Sequence, residues 1–336
     1  MSDGIIIKRA VLHVLDSEAS MPVISKGELE ITEELSNYIS KHIHKIIDDP
    51  NTKKAKFIED DNPIYIMVES LNEDNFLSMT SNMANILFAF MQKNIDIPPA
   101  DLLCCIFEEE EKEHLAILKL NYKSAFTHWV NNCEDGNINT IISYKTLLPP
   151  ESQRVEECAL IDLSDYSLRI IEKKYEINGE KEFYFSKYFL KCKSDLSVNE
   201  KLKILDKVTK DINKKYFDDD FEKTMEIKKA FCESLEENER IDIEDIAQKV
   251  YDRNLEIKNE YMEEISKSGL YEKEIVVPER LVEKKFSMQK IKTDSGIELK
   301  FPLEFLNRTD KIEFINNPDG TVSILIKNVG KIVTGR

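Results

Sequence analysis

The stretch VEECALIDLSDYSLRIIEKKYEINGEKEFYFSKYFLKCK, residues 155–193, decides the fold class because it reads as consecutive strands. Val155 to Leu163 is apolar enough to lie against a core. Ser167 to Ile177 runs into Asn178-Gly179, the dipeptide that best supplies the positive φ angles of a tight hairpin turn. Glu182 to Tyr188 reads as the return strand, with Phe183 and Phe185 on one side and Tyr184 and Tyr188 on the other. Such alternation is expected of a sheet with one wet face.

Strand signals continue toward the N-terminus. Gly4 to Leu15 alternates as a first strand, with Val23-Ile24 as its short partner. Leu102 to Phe107 and Leu115 to Leu120 are apolar runs joined by the charged connection EEEEKE, which reads as a hairpin reaching into solvent. Ile138 to Leu148 gives another strand, ending at Pro149-Pro150. Between these lie a helix capped by Thr32, with Leu35, Tyr38, Ile39, Ile43, Ile46 and Ile47 as its buried stripe, and a helix from Asp74 to Lys93. Lys53 to Phe57 reads as a connecting strand or turn, and Ala125 to Asn132, with the single Trp129, as a helical or irregular piece. His42 and His44 stand two apart on a helix, point in different directions and read as surface or half-buried residues, not as a metal pair.

From Ser197 the apolar period changes to that of helices, with Asp242 as a cap and Gly269 just past the last helix. Two hairpins follow, turning at Asp294-Ser295-Gly296 and Pro318-Asp319-Gly320. The fold class is therefore α+β: an antiparallel sheet with helices (1–196), a helical middle subdomain (197–269) and a C-terminal β-hairpin subdomain (270–336).

With 336 residues, 41% of them hydrophobic, the chain has ordinary globular composition, and nine glycines and ten prolines leave no flexible linker. Ile5 to Ile7 followed by Lys8 and Arg9 is the wrong order for a signal peptide, and no apolar run approaches the ~18 residues of a membrane span. A cytoplasmic protein without a membrane partner is expected. Cys104, Cys105, Cys133, Cys158, Cys192 and Cys232 contain no CxxC pair and read as buried free thiols.

The net charge of −17 makes this an acidic protein and argues against one that coats nucleic acid over its whole surface. Only residues 270–336 are net basic, with 12 basic against 10 acidic side chains. Lys284, Lys285, Lys290, Lys292, Lys300, Arg308 and Lys311 surround the C-terminal hairpins, interleaved with Phe286 and Phe301, and could contact phosphates. Lys187, Lys191 and Lys193 form a second strip.

The local signatures GxxxxGK[ST], GxGxxG after a strand, GxSxG and HExxH are missing, so no cofactor is expected and the prior for an enzyme falls. The sharpest enzymatic reading is Asp101 with Glu110 and Lys112, a D…ExK spacing like that of metal-dependent nucleases; its bland counterpart is an acidic hairpin tip. Asp218-Asp219-Asp220 lacks the spaced loop that wraps calcium and reads as an interhelical turn in which Asp220 caps the next helix. No metal site is assigned.

The segment CALIDLSDYSLRIIEKKYEINGEKEFYFSKYFLKC, with the start IIIKRAVLHVLD and the ending FSMQKIKTDSGIELKFPLEFLNRTDKIEFINNPDGTVSILIKNVG, resembles the bacterial nucleoid-associated proteins of the NdpA (YejK) family over nearly the whole chain. The resemblance rests on order and spacing, including Ala10 and His13 in the first strand. It implies a nucleoid-associated, non-enzymatic DNA-binding or DNA-organising protein, contact with a type II topoisomerase, and self-association as a homo-oligomer. It assigns no residue to any of these. The alternatives are a protein-interaction scaffold recruited to the nucleoid and, second, the metal-dependent nuclease.

Overall fold

A strand that is apolar at both parities needs cover on both faces, and Leu102–Phe107 and Leu115–Leu120 meet that description except at Lys119. The computed structural model describes residues 4–17, 19–133, 136–218, 220–279, 281–282, 287–302, 304–305, 308 and 310–333. The chain divides into two compact units, Met1–Ser197 and Val198–Arg336.

The first unit runs β1 (Ile5–Leu15), α1 (Glu33–Ile47), β2 (Lys53–Phe57), α2 (Pro63–Glu69), α3 (Phe76–Lys93), β3 (Ala100–Glu109), β4 (Lys112–Asn121), β5 (Lys123–Cys133), β6 (Gly136–Leu147), β7 (Glu157–Asp162), β8 (Ser167–Ile171), β9 (Tyr175–Ile177), β10 (Glu180–Glu182), a π-helical turn (Phe185–Leu190) and β11 (Cys192–Ser194). Seven strands make one sheet in the order β1-β3-β4-β7-β8-β2-β11, antiparallel throughout. Helix α1 covers one face, packing Ile39, Ile43 and Ile46 on Leu103, Cys105, Leu118 and Leu160. Helices α2 and α3 and the π-helical turn cover the other, over Leu102, Cys104, Ile117 and Ala159. A register slip between Ile7 and Arg9 lets β1 serve both layers: Ile5, Ile7 and Ala10 face α1, whereas Val11 and Leu15 face α3. His13 ties β1 to α3. Its Nδ1 accepts from the Ser25 amide (3.2 Å) and its Nε2 donates to Thr80 Oγ1 (3.1 Å), so the ring is neutral, and burial lowers its pKa.

Asn178-Gly179 forms the expected turn, with φ of 53° and 85° between the paired Ile177 and Glu180. Glu182 to Tyr188 is not the return strand. Pairing stops at Glu182, and Tyr184, Phe185, Phe189 and Leu190 are all buried, a helical spacing that stacks Tyr184 on Phe90 at 5.4 Å between ring centres. Ala125 to Asn132 is not helical; it belongs to β5, paired with β6 along its length. Helix α2, capped by Asn62 and opened by Pro63, is an element the sequence reading passed over. His42 is buried, its ring edge-on to Tyr38 at 4.7 Å, instead of lying at the surface. Cys104, Cys105, Cys158 and Cys192 are buried free thiols, and burial pushes Cys105 and Cys192 up to about 12.

The end of the sheet from which β5 and β6 emerge is held by a buried polar cluster. Lys119 and Glu157 face each other in register across β4 and β7, both fully buried, with Nζ 2.8 Å from Oε2. Lys119 also donates to Asn121 Oδ1 (2.5 Å) and the Tyr175 hydroxyl donates to Glu157 Oε2 (3.3 Å). Burial lowers the Lys119 pKa and the Glu157 carboxylate opposes that shift. Just beyond, the Tyr122 hydroxyl donates to Asp101 Oδ1 at 2.7 Å, and α1 holds the returning chain through Tyr38, whose hydroxyl donates to the Pro149 carbonyl at 2.8 Å.

The second unit contains α4 (Val198–Phe217), α5 (Phe221–Asn238), β12 (Arg240–Asp242), α6 (Ile243–Tyr251), α7 (Leu255–Lys267), β13 (Glu274–Val276) and the hairpins β14–β15 (Met288–Lys292, Glu298–Pro302) and β16–β17 (Ile312–Asn316, Val322–Ile326). Asp220 caps α5 and Asp242 caps α6, and Gly269 follows α7 with φ 89°, as the spacing implied. Phe314 joins the hairpins to α5, its ring 4.9 Å from Phe221 and 6.5 Å from Phe301.

Two predictions follow from this geometry. Glu110 and Glu111 form the β3–β4 turn with φ of 50° and 64°, a conformation that Asn-Gly adopts without strain. The double change Glu110→Asn, Glu111→Gly is expected to stabilise the protein by about 1 kcal/mol, read as a higher urea midpoint at unchanged slope. Lys119→Met strands a buried carboxylate and is expected to cost about 3–5 kcal/mol. Lys119→Met with Glu157→Leu should recover most of that loss in calorimetry; equal losses in the single and double variants would remove the pair from this role.

Candidate nucleic-acid interface

In the second unit, the β14–β15 register places Lys290 opposite Lys300 and Lys292 opposite Glu298. Opposed residues share a face, so Lys290, Lys292, Lys300 and Glu298 point one way while Gln289, Leu299 and Phe301 point the other. The lysine face is exposed and Phe301 is buried. Phe301 thus belongs to the core and is no stacking platform for a base. Lys290 makes a 2.8 Å ion pair with Glu298. Among the described residues, Lys292 and Lys300 have no ion pair, and their charge is available to an anion.

The other C-terminal candidates contribute less. Arg308 is paired with Asp310 at 3.2 Å and draws that carboxyl below its ordinary pKa. Lys311 is half-buried at the entry to β16, where its amide donates to the Arg308 carbonyl at 2.8 Å. Lys284, Lys285 and Phe286 lie outside the described residues.

The strip Lys187, Lys191 and Lys193 in the first unit is not one surface. Lys187, on the π-helical turn, is 2.5 Å from Glu182 Oε1, which raises its pKa. Lys191 caps that turn in the left-handed region at φ 47° and donates its ammonium to the Asp61 carbonyl at 2.8 Å. Lys193 instead sits in the edge strand β11, directly opposite Lys56. Lys54 shares that parity on β2 and is also exposed, so Lys54, Lys56 and Lys193 form a lysine patch on the face away from α3. Among the described residues none of the three has an ion pair. The alternation in KKAKF, with Lys54 and Lys56 on one parity, was the available signal for it. Lys53, on the other parity, is buried against Glu172 at 3.2 Å and over the Phe183 ring at 3.8 Å.

Asp101, Glu110 and Lys112 do not converge. Asp101 lies at the start of β3, beside Leu120, whereas Glu110 lies in the turn beyond its far end; at ~3.3 Å per residue the two carboxylates are ~30 Å apart. Among the described residues no group of three His, Cys, Asp or Glu side chains is placed to hold a metal ion, and no helix is long and apolar enough to cross a membrane.

Among the described residues, the sequence-predicted lysines that stay exposed and outside ion pairs thus lie on two small faces, one in each unit, each built on short antiparallel strands. Such faces can neutralise a few phosphates but offer no reacting group. No curated protein matches the chain. The sequence model of the family described as nucleoid-associated protein YejK matches residues 11–333 of 336, and the chain belongs to that family.

Proposed function

We propose that this protein is a non-enzymatic DNA-binding and DNA-organising component of the nucleoid that contacts phosphates through the outward face of β14–β15. The observation that supports this most is the register that brings Lys290, Lys292 and Lys300 onto one exposed face, inside the one net-basic stretch of the chain. Phosphate neutralisation releases counterions and carries affinity without reading sequence. The overall charge of −17 opposes a polyanion, but at physiological salt the repulsion is screened beyond ~8 Å. A local cationic face can then act while the acidic remainder stays away from the duplex. Lys54, Lys56 and Lys193 offer a weaker second contact of the same kind. Self-association and contact with a type II topoisomerase enter this proposal through the family resemblance alone.

An electrophoretic titration of duplex DNA over salt concentration tests the reading. The variant Lys290→Glu, Lys292→Glu, Lys300→Glu is expected to bind at least ~10-fold more weakly than wild type, with a log–log salt slope smaller by about 3. Supercoiled plasmid should survive Mg²⁺ and Mn²⁺ unchanged. Absence of binding by wild type even at low salt would remove direct DNA contact. A triple variant that still reaches the nucleoid after losing DNA binding would favour the scaffold reading, in which a protein partner recruits the chain.

A further inference from the structure

β4 leaves the sheet at Asn121 and continues as β5, which pairs with β6 as a two-stranded ribbon of 11 and 12 residues. Every described side chain from Ser124 to Asn131 is exposed, and so is β6 apart from the half-buried Ile142. The register puts Trp129, Ile138, Ile142 and Tyr144 on one face and Phe126, Val130 and Ile141 on the other. Phe126 is 80% exposed, Ile141 75%, Ile138 61% and Trp129 56%. Both faces of the ribbon are thus apolar and wet. A two-stranded hairpin in that condition is marginally stable by itself in water, and its two open edges invite pairing.

The strands of the ribbon are also uncharged over most of their length, although the chain is highly charged. No Asp, Glu, Lys or Arg occurs from Ser124 to Cys133 or from Gly136 to Tyr144, although such residues make up 33% of the protein. A ribbon that entered a DNA groove would need cations flanking its base contacts. Depletion of charge with enrichment of aromatic residues is instead the composition of a protein–protein interface core.

We propose that the ribbon of residues 124–133 and 136–144 is an arm that is clasped by the body of a second copy of this chain, with the two arms exchanged reciprocally about a twofold axis. The proposal rests on the self-association reading above and assigns it a surface. The area argues for a clasp. At ~3.4 Å per residue and two strands ~4.8 Å apart, each ribbon face offers on the order of 350 Å². Two ribbons packed face to face would bury only ~700 Å² in total, below the ~1,200 Å² of a stable interface. An arm covered on both faces buries ~1,400 Å² together with the surface that receives it, and twofold exchange doubles this. Charge is compatible with a second copy. Two molecules of net charge −17 repel, and an uncharged arm is what one can offer the other without opposing carboxylates at the contact. The buried Lys119–Glu157 cluster fixes the root from which the arm leaves the sheet.

Sedimentation equilibrium on the full chain at micromolar concentration tests this. Wild type is expected to be a dimer. Trp129→Glu on one face, and Phe126→Glu with Ile141→Glu on the other, should each weaken the dimer by ~30-fold or more. Ile95→Glu, a change at an exposed residue outside the ribbon, should leave it intact. Hydrogen exchange provides the check on folding: amides of β5 and β6 should lose protection in the monomerised variants while those of β3 and β4 keep it. A monomeric wild type would sink the self-association reading and this proposal together. A dimer unchanged in both ribbon variants would sink the proposal alone. Loss of DNA binding in those variants at unchanged mass would make the ribbon a nucleic-acid element and also overturn it.

Discussion

The ion pair between Lys119 and Glu157 sets where the sheet of the first unit ends and what can extend from it. Two fully buried charges facing each other across β4 and β7 are stable only in one register, because a slip of one residue would put the two on opposite faces of the sheet. Asn121 and Tyr175 add hydrogen bonds to Lys119 and to Glu157 Oε2, and Tyr122 on Asp101 fixes the next residue. β4 can therefore leave the sheet in a defined direction, with α1 holding the return through Pro149. The ordered polar root allows the exposed ribbon beyond it to be specified at all.

Much of this architecture is legible in the sequence wherever one residue type has one physical use. Asn178-Gly179 forms its turn because few other pairs accept two positive φ angles. Leu102–Phe107 and Leu115–Leu120 read as strands, and their double-sided apolarity already required two covering layers. The failures have equally local causes. Glu182 to Tyr188 looks like an alternating strand over its seven residues, yet the burial of Tyr184, Phe185, Phe189 and Leu190 is a helical spacing, and short aromatic runs fit both periods. Ala125 to Asn132 shows no alternation because neither face of the ribbon is buried, so the signal by which strands are read is absent. Lys119 and Glu157 stand 38 residues apart, and nothing local marks either as a partner.

The candidate interface was harder to read because it depends on register. Lys290, Lys292 and Lys300 were visible as residues, but their common face follows only from the pairing of Lys290 with Lys300. Lys193 was grouped with Lys187 and Lys191 by proximity in sequence, whereas pairing groups it with Lys56. In a chain with 64 acidic and 47 basic side chains, a list of lysines says little about where positive charge is free. Ion pairing decides it: Lys187 and Arg308 are paired with carboxylates, while Lys292 and Lys300 are in no ion pair among the described residues.

Three kinds of surface can be told apart: an acidic majority, small lysine faces on short strands, and a ribbon whose strands carry aromatic and aliphatic side chains and no charge from Ser124 to Cys133 and from Gly136 to Tyr144. Each kind suits a different neighbour. The acidic surface opposes close approach both of like-charged molecules and of a polyanion, except where charge is locally absent or reversed. The ribbon gains most where water is excluded from both of its faces. Under the two proposals, a second copy and phosphate are met by chemically different surfaces, an uncharged ribbon and a lysine face. If a second copy is held through the ribbon as proposed, each lysine face occurs twice on one particle, and this repetition is the route by which a handful of lysines on an acidic chain would gain affinity for a polyanion.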